Sequence, residues 1–491
     1  MRGTTNGGLL RPAPSGGITR RMTAWLYILL VALAVCLVAL CLWRAVTRAR
    51  TPQGAVAWVV FLLAAPWFAV PSFAIFGHVK LRAYAASRQN SQRIVQALNA
   101  FEEEHPSRLT PTGDQRIFER ISGLPMVGGN RVELLQDGEA TFDAIFAAID
   151  GAADYVCIQF YTISDDGLGR ALADRLEAAA ARGVKVMITY DGVGSYGLAR
   201  GWVERLTTAG AVVVDPRSAR GPTSRLELNF RNHRKTVIVD GRTAFVGGHN
   251  VSDLYIGRDR HFPHWRDTHV RVEGPVVTQL QLVFAEDWHW ASGETLDVPL
   301  EWTPKEAEGA DLSALVVPTG PGDALDTGSL LYFAAIERAR ERVWIASPYF
   351  VPDAEVLTAL TAAALRGCDV RLLIPDRPDH YPPWLAAFAY FDELRAVGVE
   401  IHRYEDGFMH QKVFLMDRDL AAVGSANLDN RSFRLNFETM LLVWDESFAG
   451  EVEAMLNADF ERSHLMTRDL SDQPLWIRAG APLCRLVAPI L

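Results

Sequence analysis

The stretch that decides the fold is HRKTVIVDGRTAFVGGHN, His233–Asn250, because the chain writes it again as HQKVFLMDRDLAAVGSAN, His410–Asn427. Both read H-x-K-x4-D-x6-G-[GS]-x-N. Lysine makes the match informative. The chain has 49 basic residues but only five lysines, Lys80, Lys185, Lys235, Lys305 and Lys412, and two of the five fall in these copies. Composition alone would place about 0.01 H-x-K-x4-D matches in such a chain. The flanking sequence repeats as well. YVCIQFYTIS at Tyr155–Ser164 is echoed by RVWIASPYFV at Arg342–Val351, and GVKVMITYDG at Gly183–Gly192 by GCDVRLLIPD at Gly367–Asp376.

Outward from the motifs, the pattern alternates. Arg131–Gln136, Tyr155–Ile163 and Val184–Tyr190 read as strands, and Thr141–Ala152, Leu168–Arg182 and Glu355–Arg366 as helices. Alternation at this length predicts an α/β fold. The repeat predicts two similar α/β/α domains, 126–310 and 311–491, packed face to face across a pseudo-twofold axis. Their junction is expected near Glu301–Thr319, where Pro and Gly accumulate. Residues 78–125 read as a polar connector broken by Pro106 and Pro111.

The motif's residue types state a chemistry. In an extended strand, residues i and i+2 share a face, which pairs His233 with Lys235 and His410 with Lys412. Two halves brought together supply two imidazoles, two ammonium groups and the amides of Asn250 and Asn427. Lysines and amides neutralise the non-bridging oxygens of a phosphodiester. One imidazole attacks phosphorus while the other protonates the leaving alkoxide and then deprotonates the incoming alcohol. No metal is required for this. Asp240 and Asp417 complete the six-residue motif set, and their positions at strand ends suit turn fixing. Each His needs an acceptor for its far nitrogen. Glu438, 28 residues past His410, is expected to hold that ring, and Asp267, 34 past His233, the other. His249, His261, His264 and His269 also cluster in sequence. They lack a Cys partner and helical H-x3-H spacing, so no metal site is read from them.

Charge is divided along the chain. Residues 1–100 hold eleven basic and no acidic residues, whereas the other 391 hold 38 basic and 58 acidic ones, a balance of −20. An acidic catalytic part argues against nucleic acid as partner. Five Cys without a CxxC pair exclude a disulfide scaffold and a zinc ribbon. Met22–Trp43 is uncharged and long enough to cross a bilayer, since about 20 apolar residues suffice. A second uncharged run, Ala55–Gly77, contains Pro66 and Pro71 and is expected to kink. Together they predict a transmembrane hairpin over 22–77, with spans at 22–43 and 55–77, after a basic tail at 1–21. Eight basic residues flank the hairpin (Arg2, Arg11, Arg20, Arg21, Lys80, Arg82, Arg88 and Arg93), against three in its connection. That asymmetry predicts a cytoplasmic tail and catalytic part.

The paired motifs resemble the signature of the phospholipase D superfamily. The flanking blocks resemble its bacterial, membrane-anchored cardiolipin synthases: the apolar N-terminal runs, GLPMVGGNRVELL from Gly123, the His264-Trp-Arg-Asp-Thr block and Ser347-Pro-Tyr-Phe. The resemblance implies reversible phosphatidyl transfer between two phosphatidylglycerol molecules through a covalent phosphohistidine, giving cardiolipin and glycerol. It also implies His233 as nucleophile, His410 as general acid and base, no cofactor, and a multi-pass place in the bacterial inner membrane. The motifs leave open serine or water as acceptor, the reactions of a phosphatidylserine synthase or a phospholipase D.

Overall fold

A computed structural model of the chain describes residues 16–49, 52–77, 92–104, 113–215, 230–296 and 298–491. The chain divides into two compact units, Met1–Val79 and Lys80–Leu491. Residues 1–15 of the basic tail, connector residues 78–91 and 105–112 with Pro106 and Pro111, and Lys80, Arg82 and Arg88 lie outside the described residues. The positive-inside reading therefore rests on sequence alone.

In the first unit, Gly16–Arg48 is one continuous helix, and its Met22–Thr47 portion is long and apolar enough to cross a membrane. Its large side chains point outward, Trp25 at 69% and Leu33 at 65% exposure, as a lipid-facing surface requires. The second apolar run corrects the expectation of a second span. It forms two shorter helices, Pro52–Ala64 and Pro66–Phe76, broken at Ala65. Pro66 has no N–H to continue the first helix and opens the next at its N-terminal turn. Neither piece alone reaches the ~20 residues a span needs. Cys41, Ala45, Leu62, Ala69 and Phe73 pack the pieces onto the long helix.

The second unit is built on one sheet. Its first half contributes β1 (Val127–Gln136), β2 (Tyr155–Phe160), β3 (Lys185–Tyr190), β4 (Val212–Val214), β5 (Thr236–Val239), β6 (Thr243–Gly247) and β7 (Thr268–Glu273). The second half contributes β8 (Leu312–Thr319), β9 (Arg342–Ala346), β10 (Asp369–Pro375), β11 (Glu400–Tyr404), β12 (Val413–Met416), β13 (Leu420–Gly424), β14 (Asn436–Trp444) and β15 (Ser463–Leu465). The order is β15-β11-β10-β9-β12-β13-β14-β8-β1-β7-β6-β5-β2-β3-β4. Read outward from the β8/β1 seam, each half runs through equivalent strands, so the duplication is real in three dimensions. β2, β3 and β4 pair in parallel, as do β9, β10 and β11. The buried, β-branched runs of β2, β3, β9 and β10 suit strands covered on both faces.

The halves join edge to edge, not as two separate sheets laid face to face. Val127 and Asn130 of β1 pair with β8, and after an irregularity Arg131–Gln136 pair with β7. Gly129 takes the left-handed φ of 71° at this switch. Buried Asn130 then ties the seam, donating to the carbonyls of Val127 at 2.7 Å and Leu312 at 3.0 Å and accepting from Val276 N at 2.9 Å. The expected junction near Glu301–Thr319 thus ends in a central strand. An unpaired edge at the middle of a buried core would strand its N–H groups, and joining the edges removes that cost. One hydrophobic core lies under the seam and the second half, and a separate one, with Phe142, Ile145, Leu172 and Trp202, fills out the first half.

Candidate active site

In both halves the H-x-K tripeptide lies between two strands, not within one. His233–Lys235 connects the short strand Arg231–Asn232 to β5, and His410–Lys412 connects Phe408–Met409 to β12. The short strands pair with the opposite half. Arg231–Asn232 runs parallel to Asn436–Phe437, and Phe408–Met409 parallel to Trp265–Arg266. The ladder continues through the histidines, with His233 N donating to Phe437 O at 3.0 Å and His410 N to Arg266 O at 2.7 Å. The next residues along those partners are Glu438 and Asp267.

That pairing decides which carboxylate serves which ring. His233 Nδ1 lies 2.8–2.9 Å from the Glu438 carboxylate, and His410 Nδ1 lies 2.7 Å from Asp267 Oδ2. Each histidine is held by the other half, which reverses the expectation drawn from sequence distance. Counting residues forward assumed that a domain completes its own site. The hydrogen-bonded ladder across the halves overrides that count.

Both histidines are buried, as are the carboxylates and both lysines. An Nδ1 facing a carboxylate carries the proton, which leaves Nε2 with its lone pair. Burial pulls His233 down to about 4, Glu438 opposing and Lys235 reinforcing the shift. Burial also holds His410 well below the ordinary histidine range, with Lys412 adding to it. The two motifs lie within electrostatic reach of one another: Lys412 acts on His233, while Lys235 and His233 act on His410. Lys235 Nζ donates to the carbonyl of His233, and Lys412 Nζ to that of His410. Burial lowers Lys235 well below the usual lysine range and brings Lys412 to about 8.

The two carboxylates differ. Glu438 also accepts from Ser425 Oγ at 2.7 Å, Ser432 Oγ at 2.9 Å and Asn436 Nδ2 at 3.1 Å. Burial alone would raise it, but His233, Lys235 and Ser425 outweigh burial and keep it below the usual range. Asp267 accepts from Thr268 N at 2.8 Å. Burial raises it despite His249 and Lys412. Ser425 has Gly248 as its counterpart, where a Cβ would stand 2.0 Å from Asp267 Oδ1. The glycine makes room for the shorter acid, and no hydroxyl replaces the one lost. The rings are walled differently too. Tyr161 packs edge-on to His233 at 4.9 Å, whereas Trp265, Phe408 and Tyr255 surround His410 at 5.1, 6.1 and 6.2 Å.

The motif aspartates sit at the far ends of their strands. Asp240 accepts from the amides of Ala153, Asp154 and Tyr155, and Asp417 from those of Arg340, Glu341 and Arg342. Both take left-handed φ values, 52° and 54°, which Asp tolerates better than most residues. They fix turns, so their grouping with the catalytic residues is corrected. Asn250 gives one N–H to Tyr255 Oη at 2.9 Å and accepts from Thr162 N at 3.1 Å. Asn427 is buried, with its Oδ1 unpartnered among the described residues.

Behind the pocket stand two buried ion pairs that the motif reading missed. Arg234 pairs with Asp287 and donates through Nε to Glu438 O at 3.0 Å. Arg266 pairs with Asp459 at 2.7 Å and donates to Asp267 O at 2.9 Å. Each guanidinium therefore clamps the backbone of a carboxylate that holds a histidine. The arginines come from non-equivalent positions. Arg234 follows His233, where the other half has Gln411, and Arg266 precedes Asp267, where the other half has Phe437. A signal was available in the acids. Asp287-Trp288 and Asp459-Phe460 recur at matching places in the helices Val276–Ser292 and Glu446–Glu461.

Known proteins resemble this chain along most of its length. The family model described as cardiolipin synthase, phospholipase D-like domain, matches residues 145–288 and 332–460. The chain is 44% identical over 457 residues to cardiolipin synthase A of Pseudomonas aeruginosa (strain LESB58), covering 91% of this chain and 93% of that protein. It is 43% identical over 463 residues to the protein of the same name from Pseudomonas putida (strain GB-1), covering 91% and 95%. Among solved structures, phosphatidylserine synthase of Haemophilus influenzae Rd KW20 superposes with a TM-score of 0.59 at 13% identity, over 77% of this chain and 100% of that one. At that identity the likeness concerns the fold alone.

Proposed function

We propose, for a chain that belongs to the phospholipase D-like cardiolipin synthase family, a two-step phosphatidyl transfer run by the paired histidines. The protein is a phosphatidyltransferase of the cardiolipin synthase type. The observation that carries the mechanism is the trans pairing of His233 with Glu438 and His410 with Asp267.

In the first step, His233 Nε2 attacks the phosphorus of one phosphatidylglycerol. The phosphorus–oxygen bond to the terminal glycerol breaks, and His410 gives a proton to the departing alkoxide. In the second step, His410 removes the proton from the terminal hydroxyl of another phosphatidylglycerol. That oxygen attacks phosphorus, the phosphorus–nitrogen bond breaks, and cardiolipin leaves with His233 regenerated. One phosphodiester replaces another, so no nucleotide is consumed. Lys235, Lys412 and the amides of Asn250 and Asn427 stabilise the five-coordinate state.

The asymmetry of the carboxylates supports this division of labour. A phosphorylated imidazole carries positive charge, and Glu438, kept ionised by its donors, faces it. Asp267, raised by burial and with fewer competing donors, is the more basic partner and favours the protonated His410 that the first step needs. The negative charge of a bound phosphodiester counters the burial that holds His410 neutral and draws a proton onto it. The test is product analysis of purified full-length protein in vesicles of phosphatidylglycerol labelled at phosphorus. Cardiolipin and glycerol in equal amounts, with acid-labile label on His233, are expected. Phosphatidic acid without cardiolipin would refute the transfer, and label on His410 alone would reverse the roles.

A further inference from the structure

The helix Leu475–Leu486 packs one apolar face, Ile477 and Ala481, into the second half's core beside the helix Tyr381–Ala396. A second apolar face lies outside. Leu475, Trp476, Leu483 and Leu486 are 77%, 51%, 65% and 78% exposed. At 100° per residue these four, with the smaller Ala479 and Pro482, fall within a single ~120° arc. Arg478 and Arg485 border that arc on one side. The patch extends beyond the helix. Trp476 stacks on Trp384 at 5.8 Å, and Tyr381, 60% exposed, stands 6.4 Å from Trp476.

The patch is linked to the site through Asp379. Tyr381 follows Asp379 and His380, and Tyr349 Oη donates to Asp379 at 2.5 Å. The charge of Asp379 reaches both His410 and Lys412. Charge singles out the occupant. Residues 473–491 hold two Arg and no Asp or Glu, in a part of the chain whose balance is −20. An exposed stripe of Leu, Trp and Tyr bordered by Arg matches an anionic lipid surface. A second copy would set like arginines against each other.

We propose that this face is an interfacial docking surface that seats the rim of the pocket on an anionic phospholipid bilayer. The proposal rests on the phosphatidyltransferase reading, because the lipid it grips would be the one supplying both substrates. The experiment uses the full chain, with Cys36 and Cys484 replaced by Ser, in vesicles of phosphatidylglycerol and phosphatidylcholine. An environment-sensitive fluorophore is placed through Leu483→Cys or, as a control on another helix, through Leu365→Cys. Shallow brominated lipid is expected to quench the probe at 483 at least about twofold and to leave that at 365 unchanged. A probe at 483 that emits as in water overturns the proposal, and a shift that follows protein concentration instead of lipid overturns it in favour of self-association. A triple variant, L475D/L483D/L486D, is expected to raise KM for vesicle phosphatidylglycerol about tenfold or more. Its kcat on a monomeric short-chain phosphatidylglycerol should stay within about twofold, whereas equal loss on both substrates overturns docking. Cardiolipin formation without quenching at 483 defeats docking alone. Quenching without cardiolipin defeats the transferase reading and leaves lipid docking standing.

Discussion

The two histidine sites share a fold, a ladder and a motif, yet differ in what surrounds the ring. His233 faces a carboxylate supported by Ser425, Ser432 and Asn436 and meets one aromatic ring. His410 faces a carboxylate with fewer donors and lies among Trp265, Tyr255 and Phe408. A duplicated pocket starts with equal halves, and a reaction with one nucleophile and one acid needs unequal ones. The difference lies less in the histidines than in the groups behind them: a serine in one copy and a glycine in the other, Glu against Asp.

Removing the rings attacks that comparison most directly. His233→Ala is expected to lose activity by about 10,000-fold or more on phosphatidylglycerol and on a nitrophenyl phosphodiester lipid alike. His410→Ala should fall as far on phosphatidylglycerol but recover at least about 100-fold on the nitrophenyl substrate, whose leaving group needs no proton. Rescue of the His233 variant instead would exchange the roles.

The guanidinium swap comes next. Arg234→Gln leaves the buried Asp287 carboxylate with the amides of Gln159 and Asn232 but without its guanidinium, and should cost about 3–5 kcal/mol in chemical denaturation. Adding Phe437→Arg, which copies the other half's arrangement, should restore part of that stability. No recovery would mean the two arginines are not equivalent supports.

A subtler variant sharpens the trans pairing. Glu438→Gln is expected to slow formation of the phosphohistidine about 100-fold in rapid-quench measurements, since Glu438 serves His233. Asp267→Asn should slow the same step about tenfold, with the loss disappearing on the nitrophenyl substrate. If Glu438→Gln were the variant rescued by that substrate, Glu438 would be serving His410.

The pH profile tests the cations. With His233 at about 4, kcat/KM should fall as pH drops through about 4, where the nucleophile protonates, and again on the alkaline side, where His410 and the two lysines, all lowered by burial, lose the protons that the first step needs. Lys412→Arg, whose side chain stays charged, should make the alkaline limb less steep. Smallest is Asp240→Asn, expected to cost about 1–3 kcal/mol of stability while leaving kcat of the folded enzyme near wild type.

Much of the fold was legible because strand and helix periods are local. The helix found at Gly167–Ala181 begins at Asp166, which caps Gly169 N, and its repeat at Ala354–Leu365 begins at Asp353, which caps Val356 N. The second apolar run misled because composition counts residues, while Pro66 interrupts the backbone at a single point. The seam between the halves was illegible for another reason. Leu312–Thr319 falls inside the expected junction, and nothing in its residues states that β1 is its neighbour.

The sequence by itself determined which groups the candidate site draws on. The spacing of H-x-K and the following Asn brings an imidazole, an ammonium and an amide out of each half at neighbouring strand ends, and that relation spans only a few residues. Tertiary structure alone decided which half's carboxylate holds which ring. The partners are 205 and 143 residues apart, and the short strands that join them find their neighbours only when the halves meet. Backbone pairing between distant segments depends on which edges face each other, and no local pattern of side chains records that.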